Sequence, residues 1–222
     1  MPVIDSIQVG QPTDYLHEGY ADGKQRSWTT AFFKTPVAGS VHVGRLGVSG
    51  DRQADLHNHG GVDKAVLAYS ADHYAYWRQH LALPEMPPGG FGENLSIAGL
   101  DEAGVSIGDR WQAGTVLFEV TQPRQPCWKM SRRWQLPDLA AQVVANGRSG
   151  WYLRVLAEGE LAAGTELTLV RRPHPAWTIA RANRLMHHEK DNVSAAEKLA
   201  ALSELSAAWK ESLHKRIANR AL

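Results

Sequence analysis

Residues 105–130 read VSIGDRWQAGTVLFEVTQPRQPCWKM. The β-branched and aromatic residues on either side of Gly114 predict two strands joined by a tight reversal that glycine permits. Pro123 and Pro126 fix φ, lack an N–H, and push Gln122 and Gln125 toward extended conformations, so the strand LFEVTQ ends in a stiff segment. At the end of that segment stands Cys127, the only cysteine in 222 residues. A thiolate is a nucleophile and a soft metal ligand, and Arg124, Lys129, Arg132 and Arg133 are sequence neighbours that favour the charged form. The plainer reading is a small buried hydrophobe.

On both sides of this stretch the texture is the same. VIDSIQV, SWTTAFFK, GSVHVGRL and ELTLVRR are short, β-rich runs bounded by Gly, Pro or Asp, and VLAEGELAAGTELTLV reads as a second turn-linked strand pair. One helix interrupts: Ser70 can cap it, and Tyr74, Trp77 and Leu81 share a face. After Pro173 and Pro175 the pattern turns helical. Ser194 and Glu197 are spaced as a capping box, while Leu205, Trp209, Leu213 and Ile217 recur every four residues. With a turn around Ile179–Met186 this predicts three short helices, so the chain divides into a mainly β body, 1–172, and a helical unit, 173–222. Fifty residues hold too little core to stand alone, and the helices are expected to pack together or on the body.

Net charge is +1, but ten Lys/Arg against five Asp/Glu between Arg171 and Leu222 make the tail basic and leave the body acidic. The tail's charge is spread over three helices with no aromatic stacking motif, which argues against nucleic acid. One cysteine excludes an internal disulfide, an iron–sulfur cluster and a CxxC pair. The first twenty residues carry Asp5, Asp14 and Glu18 and no long apolar stretch, so the expectation is a cytoplasmic protein without a membrane anchor. There is no phosphate loop, and GRLGVSG has the wrong glycine spacing for a dinucleotide fingerprint, so redox chemistry would need electrons from elsewhere.

Two further segments carry polar groups beside glycine. HNHGGVDKAV combines His57 and His59 with Gly60 and Gly61, whose bare backbone can approach an anion, followed by Asp63 and Lys64. GGFGENLSIAGL carries Glu93 and Asn94, able to bond the edge of a heterocycle. Alone, each reads more readily as a glycine turn with solvated polar groups. His57 and His59 with Asp51, Asp55 and Asp63 could instead form a hydrolytic zinc site, and Lys64 could carry pyridoxal phosphate as an aldimine.

Taken in order, HGGVDKAV, GGFGENLSIAGL, residues 105–130 and GRSGWYLRVLAEGELAAGTELTLV resemble the core segments of MOSC domains over roughly residues 30–170. The resemblance is greatest to the YiiM-like branch, associated with resistance to N-hydroxylated base analogues, in which a three-helix unit follows a MOSC β-barrel. It implies a molybdenum cofactor (a molybdenum-molybdopterin) with Cys127 as the protein's thiolate ligand to the metal. His59, Gly60, Gly61, Asp63, Lys64 and Ala65 match the HGG-x-DKA stretch, and Phe91, Gly92, Glu93, Asn94 and Leu95 the FGENL stretch, both expected to line the cofactor cavity. Arg124 and Arg148 match basic positions and are expected anion contacts. The implied activity is reduction of N-hydroxylated nucleobases or related compounds, with a proton from His57, His59, Asp63 or Glu93 and electrons from a separate reductase. The basic tail could dock such an acidic partner, though an ordinary solvated face is the plainer reading of it. A carrier role, with sulfur or cofactor held on Cys127 and no turnover, stays open beside it. So does a homodimer through the helical unit.

Overall fold

The structure, a computed structural model, describes residues 1–17, 26–56 and 59–220. The body runs β1 Val3–Val9, β2 Thr13–His17, β3 Arg26–Thr30, β4 Thr35–Pro36, β5 Ser40–Gly44 and β6 Gly47–Val48. A 3-10 turn, Val62–Lys64, then leads into β7 Val66–Ser70, α1 His73–His80, β8 Leu95–Ala98, β9 Arg110–Ala113 and β10 Val116–Pro123. After α2 Trp128–Trp134 and α3 Leu139–Asn146 come β11 Trp151–Ala157, β12 Gly159–Ala162 and β13 Leu167–Arg171. The tail forms α4 Ile179–His187, α5 Val193–Ala200 and α6 Ala207–Arg220. None of the described helices is long and apolar enough to cross a membrane.

The protein is mainly β. Eight strands form one sheet in the order β13-β9-β10-β11-β7-β8-β1-β4, and smaller sheets join β12-β5-β6 and β2-β3. β7 is buried along its whole length because it sits inside the sheet with both faces covered, and it pairs parallel with β8, Ala68 opposite Leu95. Such a pair needs a long crossover, which α1 and the loop 81–94 supply. The sheet curls until its ends touch. Val3 bridges Glu166, and the N–H groups of Ile4, Gly164 and Leu167 donate to Thr165, Ile4 and Pro2 carbonyls at 2.8–2.9 Å. The expected barrel is therefore a curled sheet pinned by one bridge. Beyond Leu167 the strand β13 is exposed and makes no ladder with β1.

The hairpin within residues 107–120 forms as read, with Val116 opposite Ala113. The second expected pair does not: β12 leaves β11, crosses to β5 and places Leu161 opposite Val41. The crossing is close-packed, since a Cβ on Gly159 would stand 2.1 Å from the Thr115 hydroxyl. Ser70 does not cap α1. It ends β7 with its hydroxyl buried and unpartnered, and Asp72 at the cap position spends its carboxylate on the Gly99 N–H at 3.0 Å. Nor does Ser194 cap α5. The chain enters that helix two residues earlier, where Asn192 accepts from the Ala195 N–H at 3.1 Å.

Leu205, Trp209 and Leu213 are buried, and Ile217 packs beside them. They belong to the same hydrophobic core as Val66, Phe118 and Trp151 of the sheet, which is how a unit this small is stabilised. Burial of each such side chain contributes about 1.5–3 kcal/mol. A second cluster joins Tyr74 and Trp77 of α1, with Leu81 beside them, to Phe91 in the loop before β8 and to Met130 and Val143 of α2 and α3.

Candidate active site in a basic cavity

β10 runs out through Pro123 into extended chain, and Cys127 stands at the N-cap of α2 with φ −126° and ψ 162°. Its half-buried thiol is on the wall of a cavity where the β10 exit, the turn before β7 and the loop before β8 converge. The same wall carries His59, Gly60, Lys64, Phe91, Gly92 and Arg124. Cys127 is thus not sealed in hydrocarbon. The cavity has a volume of about 80 Å³ and opens to solvent on one side.

Charge sets its chemistry. Lys34, Arg52, Lys64, Arg124 and Lys129 line the cavity, with Asp51 the single acidic side chain on the wall among the described residues. Asp51 is already taken by an ion pair with Lys34, and its carboxylate also accepts from the Gly10 N–H at 2.7 Å. Burial draws the Lys34 ammonium below the usual lysine range, with Asp51 acting against it. Arg124 is 3 % exposed and Lys129 9 %. The Arg124 guanidinium reaches only the Phe91 carbonyl at 3.4 Å and the Met130 sulfur at 3.9 Å. No carboxylate among the described residues pairs with either cation. A buried charge left so costs several kcal/mol, and an anion entering the cavity recovers that cost.

His59 responds to the same field. Burial, then Lys129 and Arg124, lower its pKa to about 4, so the imidazole is neutral at physiological pH. Tyr152, also on the wall, is pushed up to about 12, chiefly by burial, and keeps its phenolic proton.

Most of the other expected residues have different roles. Asp63 is off the wall: its carboxylate bonds Arg154 at 2.5 Å and the Ala207 N–H at 3.1 Å. Gly61 precedes the 3-10 turn and does not line the cavity. Glu93 is fully buried, accepting from the N–H groups of Gly89 (2.7 Å) and Phe91 (3.2 Å) and the hydroxyls of Tyr74 (2.5 Å) and Ser96 (2.8 Å). It holds the loop together and does not line the cavity. Asn94 touches the cavity, but its amide is spent on the Leu67 N–H and the Gln8 carbonyl. Gly92 is required by packing as well as by its φ of +78°, since a Cβ would lie 2.8 Å from the Phe32 ring. Arg148 lies over the Tyr76 ring at 4.0 Å, in a separate groove with His73 and Asn183. His57 falls outside the described residues.

Of the four cations near Cys127 in sequence, Arg124 and Lys129 reach the cavity. Arg132 stacks on Trp128 at 4.4 Å, and Arg133 donates to the Phe32 and Gly89 carbonyls. A zinc centre finds no support in the described residues: Asp51 and Asp63 are held apart by different cations, and no three His, Cys, Asp or Glu side chains are grouped to take a metal. Sequence reasoning missed Lys34, Arg52 and Tyr152. Only Tyr152 left a signal, an aromatic residue that on a strand faces the opposite side from its apolar neighbours Trp151 and Leu153, all three being buried.

A family model described as MOSC domain matches residues 55–168, and one described as YiiM-like, 3-alpha helix domain matches residues 177–220. The protein YflK of Bacillus subtilis is 36% identical over 211 residues, 95% of this chain and 92% of that one. A protein of Gibberella moniliformis named Reductase is 36% identical over 166 residues, 71% of this chain but 28% of its own length. The crystal structure of YiiM from Geobacillus stearothermophilus superposes with a TM-score of 0.82 at 40% identity, covering 98% of this chain and 100% of that one.

Proposed function

The chain belongs to the MOSC domain family, with a YiiM-like helical unit after it, and from that premise we propose that it is a molybdenum-cofactor-dependent reductase of N-hydroxylated nucleobases or related compounds. The observation that carries this reading is the pairing of one soft sulfur donor with two buried, carboxylate-free cations in a single cavity. That donor set fits a metal held in a polyanionic organic group. The cavity opens to solvent, so such a group could reach the sulfur and the cations from outside. A relative named Reductase supports the redox class.

When bound, the cofactor supplies a two-electron metal centre able to accept an oxygen atom. The chain supplies the rest. Cys127 offers its sulfur as a metal ligand from a backbone that Pro126 stiffens. Arg124, Lys129 and Lys64 neutralise negative charge and orient it toward that sulfur. Tyr152 holds a proton on its phenolic oxygen, and the neutral His59 ring offers one donor and one acceptor. The net change is R–NHOH + 2e⁻ + 2H⁺ → R–NH₂ + H₂O: the N–O bond breaks, an N–H bond forms, and a separate reductase delivers the electrons.

The test is an anaerobic assay of holo-protein with a chemical reductant and 6-hydroxylaminopurine. Stoichiometric loss of the hydroxylamine with formation of adenine is expected. A sulfur adduct of one atom on Cys127 with no substrate reduction would replace this reading with a carrier.

A further inference from the structure

Helix α6 begins against two segments that lead into the cavity wall. Its first backbone N–H, that of Ala207, donates to Asp63 Oδ2 at 3.1 Å, while Asp63 Oδ1 is held by Arg154 at 2.5 and 3.1 Å. Arg154 is anchored in turn by Glu119 on β10 at 2.6 Å, and the Asp63 carbonyl accepts from the Thr121 hydroxyl at 2.6 Å. The residue before α6 makes the second tie. Ser206 donates from its N–H to the Thr121 carbonyl at 3.1 Å and from its hydroxyl to Gln122 Oε1 at 2.6 Å, and caps the Trp209 N–H at 3.2 Å. Asp63 immediately precedes Lys64, and Thr121–Gln122 lead through Pro123 to Arg124 and Cys127. One helix terminus therefore grips both segments that bring cations and the thiol to the cavity.

We propose that the start of α6 braces the cavity, with Asp63 and Ser206 as positioning residues that hold Lys64 and the Arg124–Cys127 segment in register. Asp63 on this view delivers no proton. The inference concerns the site that the proposed function uses, but its test needs no cofactor, so the two fail separately.

The single cysteine provides the readout. In the ligand-free full-length chain, the rate at which Cys127 reacts with a dianionic aromatic disulfide, divided by its rate with neutral iodoacetamide, reports the positive field at the sulfur. Asp63→Ala removes a negative charge near the cavity. If Asp63 acted through its charge alone, the ratio would rise or stay level. Bracing predicts a fall of about three- to tenfold, the size expected when a steering cation is displaced. Lys64→Gln should give a similar fall, and the double variant little more, because both changes remove one contribution. Asp63→Asn, which keeps an oxygen for the Ala207 N–H, should recover part of the ratio. Ser206→Ala changes no charge and is expected to lower it about twofold even if Asp63→Ala does not fold. An unchanged or raised ratio in the folded Asp63 variants together with an unchanged one in Ser206→Ala would overturn the proposal. So would additive effects of Asp63→Ala and Lys64→Gln.

Discussion

The two glycine-rich segments look alike in sequence and do opposite things. The one at residues 59–64 turns His59 and Lys64 toward the cavity and hands its aspartate to α6. The one at residues 89–94 turns its carboxylate inward, where Glu93 collects two backbone N–H groups and two hydroxyls of its own neighbourhood. A glycine loop must satisfy its N–H groups somewhere. When an acid of the loop does so, the loop is a wall. When the acid is taken by another element instead, as Asp63 is by α6, other side chains of the loop line the cavity.

Substitutions can break or sharpen this contrast. Glu93→Ala orphans four buried donors and is expected to cost about 3–5 kcal/mol, seen as a large drop in the thermal midpoint. Lys64→Ala should cost under about 0.5 kcal/mol, and equal losses in the two variants would dissolve the contrast. Arg124→Met comes next and has opposite signs for stability and function. Removing a buried, uncompensated cation should stabilise the ligand-free chain by about 1–2 kcal/mol while abolishing molybdate-dependent thermal stabilisation. Loss of stability without loss of anion binding would mean that Arg124 serves the fold.

A smaller effect concerns pH. His59 has a folded pKa of about 4 against 6.5 when unfolded. Between those values the unfolded chain binds more protons, so stability is full above about pH 6.5 and declines as pH falls toward 4. His59→Gln should flatten that slope in urea titrations across the window. A bound anion raises the His59 pKa, so molybdate should bind more tightly at pH 5 than at pH 7. The smallest effect is expected from Arg148→Ala, which should leave Cys127 reactivity unchanged within twofold because Arg148 stacks on Tyr76 in another groove.

Much of this was legible in the chain. Short β-rich runs bounded by Gly, Pro or Asp gave the body, the four-residue stripe from Leu205 to Ile217 gave the buried face of the tail, and two prolines before Cys127 foretold an extended, presented thiol. What escaped was long-range. β12 alternates as a hairpin partner should, and nothing local says that it pairs with β5 across more than a hundred residues. Glu93 and Asp63 carry the polarity of catalytic groups, yet Glu93 is claimed mostly by its own loop, with Tyr74 added from α1, and Asp63 by Arg154 and Ala207, both remote in sequence. Lys34 and Arg52 line the same cavity as Arg124 and Cys127, from which they are some seventy or more residues away in sequence.

The central claim is that the Cys127 sulfur and the cations around it hold a metal in an anionic cofactor. The direct measurement is molybdenum per chain in wild type and Cys127→Ala, purified side by side from a host with intact cofactor synthesis. At least a tenfold lower content in the variant, with an unchanged thermal midpoint for the ligand-free chains, is the expected result. Equal molybdenum in both would contradict it.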